Sequence, residues 1–293
     1  MGNIVKNFFS FGCSGIASNN NYICAAGDKI GIISKSNSSL SKTISGIRNV
    51  SSVCLDEKRI YAKKTNGTLY VFDLATQSLL EKHDCLINSK SAQDFPIYSI
   101  GEGVILDLLY LNNEQHFLTK YSFLQNITEK IAIPISSDYV CSNYLFESGN
   151  AYLLFKEKCF ANKFKTNCLY VIVDTETMKM INMKSFSFEH KIHPYGLIDK
   201  NYLLLNNMQI VNIKSSERVL LSTSNFEQSD PGYFCRIIPS FENVFILVFS
   251  KTVVVYNLHQ NNTICKYCGK YFSSALYDND KLYIGTWDGM FEV

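Results

Sequence analysis

Seven hairpin signals about 43 residues apart, a strand-rich composition and two complementary chain ends predict an all-β fold. The fold expected is a seven-bladed β-propeller of four-stranded antiparallel blades, closed by the N-terminal strand completing the last blade. Phe and Tyr number 20 and 18, and Val, Ile and Thr recur in short runs, which suits pleated strands better than helices. Hydrophobic residues make up 46% and charged residues 18%, so the chain can bury a large core and is not of the disordered class. Only five prolines are present and no Ser/Gly linker interrupts the chain, so one domain over residues 1–293 is expected.

The hairpins justify the blades one by one. The clearest runs from Arg59 to Asp73, where alternating apolar residues flank Asn66-Gly67, a dipeptide that favours a tight turn between paired strands. The same pattern returns over Lys281–Val293 around Asp288-Gly289, over Asn201–Ile213 around Asn206-Asn207, and over Val244–Leu258 around Ser250-Lys251. An early copy, Asn21–Ser34, turns at Asp28-Lys29. Val104–Tyr121, turning near Asn113-Glu114, and Ala151–Asp174, whose turn has grown into the loop Lys156–Asn167, are looser copies. The turn positions are 28, 66, 113, 167, 206, 250 and 288. Their period matches a four-stranded blade.

The last repeat supplies three strands and stops at Val293, whereas Asn3–Phe11 is a strand candidate with no hairpin partner. Placing residues 1–11 as a clasp on the C-terminal blade, 273–293, removes both an open edge and an orphan strand.

The segment Tyr70-Val-Phe-Asp-Leu-Ala-Thr-Gln-Ser-Leu-Leu80 resembles the repeats of pyrroloquinoline-quinone-type and WD-repeat-like propellers, in which a strand ends in Asp, a Thr-containing turn follows and an outer strand begins. Val173–Lys179, Val211–Ser216 and Tyr256–Gln260 are weaker copies. The resemblance implies the propeller architecture. The quinone-type repeat also carries a tryptophan after the turn that locks blade to blade. This chain has a single tryptophan, Trp287, on a different strand, so no quinone or calcium site is carried over and no cofactor is expected. Asp73, Asp174, Asn212 and Asn257 are expected to bond their own backbone in Asx-type turns.

Charge and motifs restrict function. A net charge of +2, from 28 basic and 26 acidic residues, exerts no general pull on nucleic acid or anionic membrane. The longest apolar runs are too short to span a bilayer. The N-terminus lacks a secretory apolar centre, and Lys6 stands where a myristoylation signal wants Ser or Thr. Ten cysteines without such a signal are expected to be reduced, cytoplasmic and mostly buried as small hydrophobes, as for Cys54, Cys141 and Cys235.

Cys265 and Cys268 form one Cys-x-x-Cys where zinc wants four ligands, and on an outer strand their side chains fall on opposite faces. Glu189, His190 and His193 could contribute to a metal site, but strand spacing points the two histidines apart. Gly12-Cys-Ser-Gly15 lacks the second glycine at the required position and the helix of a nucleophile elbow, and Asp278 and Asp280 fit a turn. No metal or catalytic residue is therefore expected.

The most distinctive segment is the loop at 156–167. Lys156, Lys158, Lys163 and Lys165 alternate there with Phe160 and Phe164 and could grip an acidic partner or single-stranded nucleic acid. A second long connection, Ser224–Gly232, is expected to cross between blades. The expectation is a non-enzymatic propeller that binds another protein. The alternative is an enzyme or small-ligand binder with acids and histidines converging on the channel mouth.

Overall fold

The computed structural model describes residues 6–37, 41–84, 94–111, 114–158, 165–189, 191–221, 230–240 and 243–293. Blade one consists of β2 (Cys13–Ser18), β3 (Tyr22–Gly27), β4 (Ile30–Ser34) and β5 (Ser41–Ile44). Blade two follows with β6 (Val50–Leu55), β7 (Arg59–Lys64), β8 (Leu69–Asp73) and β9 (Leu79–His83). Blade three holds β10 (Ile97–Gly101), β11 (Val104–Tyr110), β12 (His116–Ser122) and β13 (Ile127–Ala132). The longest strands form blade four: β14 (Tyr139–Glu147), β15 (Asn150–Glu157), β16 (Lys165–Asp174) and β17 (Lys179–Glu189). Blade five is the shortest, with β18 (Pro194–Leu197), β19 (Tyr202–Leu205), β20 (Gln209–Asn212) and β21 (Arg218–Leu220). Blade six contains β22 (Phe234–Pro239), β23 (Val244–Phe249), β24 (Thr252–Asn257) and β25 (Asn262–Cys268). Blade seven is β26 (Phe272–Asp278), β27 (Lys281–Thr286) and β28 (Met290–Glu292), completed by β1 (Lys6–Phe9).

All seven expected hairpins pair the second and third strands of a blade, with Arg59 opposite Asp73, Tyr22 opposite Ser34 and Val244 opposite Asn257. The Asx turns form as expected after the third strands. Asp73 Oδ1 accepts Thr76 N–H at 2.6 Å, Asp174 Oδ1 accepts Thr177 N–H at 2.6 Å, and Asn212 and Asn257 do the same for Lys214 and Gln260 at 2.9 Å. These bonds favour the ionised carboxylates of Asp73 and Asp174 and hold both below the usual range.

The core is seven apolar layers, one between each pair of neighbouring blades. Ile32, Ile44, Val53 and Phe72 meet between blades one and two, and Phe245, Leu247, Leu204 and Ile210 between blades five and six. A polar seam joins the blades around the axis. In six blades the first strand bulges near its start, the extra residue being Ser14, Ser51, Ser142, Tyr195, Cys235 or Ser273. Ser14 Oγ lies 2.5 Å from Val50 O of the next blade, and Ser273 Oγ donates to Cys13 O across the closing junction. One residue on, Ser52 Oγ accepts Ile97 N–H and Asn143 Oδ1 accepts Leu197 N–H, each at 3.0 Å and each from the following blade. These short side chains do the blade-locking that a repeated tryptophan does elsewhere. Asn143→Ala leaves the Leu197 N–H without its acceptor, so a loss of about 1–3 kcal/mol is expected as a lower denaturant midpoint at unchanged slope.

The clasp forms over Lys6–Phe9, inside the expected Asn3–Phe11, with Lys6 opposite Glu292 and Phe9 opposite Met290. The buried Phe9 ring lies over Gly31 of blade one, where a Cβ would stand 2.4 Å from it. At Gly289, a Cβ would stand 2.7 Å from the Phe9 carbonyl. Both glycines are therefore required by the passage of β1.

Candidate interaction surfaces

Antiparallel strands that run alternately along one axis place their connections on two faces. Turns between second and third strands share one face with the crossings from each fourth strand to the next blade. Three side-chain contacts join these two kinds of connection or neighbouring turns on that face. Lys158 pairs with Glu114 at 2.9 Å, Lys251 pairs with Asp230 at 2.5 Å, and the Tyr271 and Trp287 rings stack at 5.3 Å. The connections 84–96, 158–164 and 221–233, each of seven residues or more, all leave from this face. On the opposite face the longest is the six-residue 35–40.

Of the sequence-predicted partner residues, Lys156, Lys158 and Lys165 are described, at the end of blade four that meets the loop-bearing face. Lys156 and Lys165 are strand residues rather than loop residues, because β15 and β16 extend until Lys156 opposes Cys168, and Asn167 Nδ2 bonds Glu157 Oε2 at 2.8 Å. Asn167 itself is thus strand, the third residue of β16. Lys158 stands at the loop's edge, tied to Glu114. Phe160, Lys163 and Phe164 lie outside the described residues. Of Ser224–Gly232, Asp230 to Gly232 are described and lead into β22, so the segment does cross from blade five to blade six.

Sequence reasoning did not assign the aromatics of this face to a surface, and Trp287, expected on a strand, lies in the turn between β27 and β28. Tyr233, Tyr271 and Trp287 are each more than half exposed, at 63%, 56% and 63%. At the starts of β18 and β22, Tyr195 and Phe234 stack at 3.9 Å, and Phe249 meets Phe234 edge-on. The signal available was positional: these residues cap the starts of first strands or the turn of blade seven.

The channel is walled by the first strands, which neighbour one another around the axis. Apart from Glu147 and Asp278 at strand ends, Arg236 is the charged side chain these strands carry. Burial lowers its pKa, opposed by the charges of Cys13, Cys235 and Asp94. Among the described residues no group of three or more His, Cys, Asp and Glu side chains could hold a metal. Cys265 and Cys268 lie on the outer strand β25, as expected, both half-buried. His193 donates its backbone N–H to Asn206 Oδ1 at 3.1 Å, and burial keeps its imidazole below its usual pKa. His190 lies outside the described residues. Cys13 of the rejected elbow motif bonds Gly15 O within β2, and Asp278 pairs with Lys35 at 2.6 Å.

Burial pushes the thiols of Cys13 and Cys168 up to about 11 and about 12, and those of Cys24, Cys54 and Cys141 well up also. Native alkylation at pH 8, mapped by mass spectrometry, is expected to modify the half-buried Cys235, Cys265 and Cys268 and to spare these five.

His116 is fully buried between Tyr110 and Phe155, and its Nε2 accepts Cys141 N–H at 3.2 Å from the next blade. Desolvation drives its pKa down to about 4. Because the unfolded chain binds the proton more tightly, the contribution is present above about pH 6.5 and lost as the pH falls toward 4, by about 3 kcal/mol at most. Thermal melts should show that loss, and His116→Gln should remove this part of the pH dependence.

No protein-family model matches the chain, and no curated protein matches it. The seven blades and their inter-blade cores define it as a seven-bladed β-propeller. Among solved structures it is similar to BamB from Moraxella catarrhalis, a propeller of the pyrroloquinoline-quinone-like repeat type. The match has 9% identity and a TM-score of 0.52, covering 96% of this chain and 82% of that one. The likeness is one of fold, and it agrees with the resemblance seen in the repeats.

Proposed function

We propose that this chain is a non-enzymatic propeller that engages another protein through its loop-bearing face. The observation that carries this reading is the placement of every connection of seven or more residues on that one face, beside the exposed Tyr233, Tyr271 and Trp287. Exposed aromatics on a rigid support lose little ordering entropy on binding and dominate interface energetics. The scaffold is preorganised by the closed ring, so the loops need only find a complementary surface.

The test compares proteins retained from lysate by the full chain and by two variants. One joins Glu157 to Lys165 through Asn-Gly, and the other is Tyr271→Ala with Trp287→Ala. A partner held by the parent is expected to be lost or weakened at least tenfold by one or both variants. Equal retention by all three overturns the assignment to this face, and capture of nothing by any of them overturns the protein-binding reading.

A further inference from the structure

We propose that the lateral groove between blades four and five binds an acidic peptide segment with an apolar side chain set between its carboxylates. The groove exists because the outer strands are mismatched: β17 has 11 residues and β21 has 3, so blade four overhangs its neighbour. Two cavities of about 350 and about 70 Å³ lie under the overhang and meet at Lys184 and Ile213. Their floor is aromatic and aliphatic, with Tyr152 and Tyr170 stacked in the larger and Phe186 in the smaller. On the same outer strands, Ile181 of β17 and Leu220 of β21 are exposed, at 58% and 59%.

The charge on the lining is of one sign. Lys184, Lys200 and Lys214 line the larger cavity and Arg218 the smaller, and among the described residues no carboxylate lines either, in a chain whose 28 basic residues are nearly balanced by 26 acidic ones. Lys184 Nζ donates to Ile213 O at 2.5 Å and Lys214 O at 3.3 Å, which fixes the ammonium at the junction and leaves one of its three donors for a ligand. Arg218 rests over the Phe188 ring at 6.0 Å. Lys200 is matched by Glu147 at 2.7 Å, whereas Lys214 and Arg218 lie exposed at the rim. Cations alternating with apolar surface over so short a path fit carboxylates flanking one buried side chain. A polyanion backbone would want a continuous cationic track instead. Lys200 and Lys214 belong to turns on the face opposite the long loops, so this site does not depend on the function proposed above.

The probe is the fluorescent peptide Asp-Glu-Leu-Phe-Asp-Glu, capped at both ends, titrated with the full chain at low salt and followed by anisotropy. Lys214→Glu with Arg218→Glu, both exposed and therefore compatible with folding, should weaken binding roughly tenfold. Lys42→Glu with Arg48→Glu, the same charge change on and beside blade one, should leave it unchanged, and replacing Leu-Phe by Gly-Gly should weaken it. The proposal is overturned by absence of binding, by equal loss in both double variants, by undiminished binding of the Gly-Gly peptide, or by a single-stranded oligonucleotide that displaces the peptide from the same residues.

Discussion

A chain lacking residues 1–11 should lose most of its folded stability in one cooperative step. Removing β1 strips the outer strand from blade seven and takes away Phe9, which closes the apolar layer against Cys13, Ile33 and Met290. Phe9→Ala alone should cost about 3–5 kcal/mol, a large part of the 5–15 kcal/mol typical of a native domain. The deletion adds the loss of three backbone pairings and the exposure of the β28 edge. The measurement is a thermal and a urea melt of both forms. The parent should show a single transition, and the truncated chain either a much lower midpoint or none. Unchanged melting would mean that the ring is held without its clasp.

The second large effect concerns a buried ion pair between blades two and three. Lys63 is 0% exposed, and its Nζ reaches Asp107 Oδ1 at 2.5 Å and the carbonyls of Phe95 and Leu108. Asp107 is as deeply buried, and its Oδ2 has no partner among the described residues. Burial raises the Asp107 pKa against the opposing pull of Lys63. Lys63→Met should cost about 3–5 kcal/mol, because it strands a carboxylate in an apolar layer. With the lysine gone, Asp107 is pushed further up. A carboxyl whose folded pKa exceeds its unfolded one binds its proton more tightly in the native state. The variant should therefore be least impaired below about pH 4 and lose stability as the pH rises toward 7. Lys63→Met combined with Asp107→Leu should recover much of the loss and flatten that dependence. If the single variant melts like the parent at pH 7, the pair has no structural weight.

The seven hairpins were legible because their information is local: alternation of period two on either side of an Asn-Gly, Asp-Gly or similar turn. The clasp was legible because its two halves are each incomplete alone. What joins one blade to the next was not. Lys63-Lys64 has the pattern of a solvated strand end, yet the pleat turns Lys63 inward against a blade whose sequence lies 44 residues away. Ser52 and Asn143 are likewise unremarkable polar residues until the next blade supplies the N–H each accepts. The first-to-second strand turns carry a local signal of their own. Asn19, Asp56 and Asp199 each stand three residues before a second strand and accept its first N–H. Of the candidate site, the lysine loop was conspicuous in sequence, but its alignment with the other long connections needed the topology. The groove between blades four and five required two strand lengths to be compared across an interface.

The order of synthesis gives the clasp a further significance. Phe9 leaves the ribosome about 280 residues before the Met290 it must face. At about 5–20 residues per second, it waits on the order of 15–60 s for that partner. Throughout that interval Phe9 has only the blade-one side of its layer, over Gly31 and against Cys13 and Ile33, while the side formed by Tyr283 and Met290 is still to be made. Closure of blade seven therefore waits for β28, and a missense change at Phe9 acts on a junction whose two sides are separated by the six other blades.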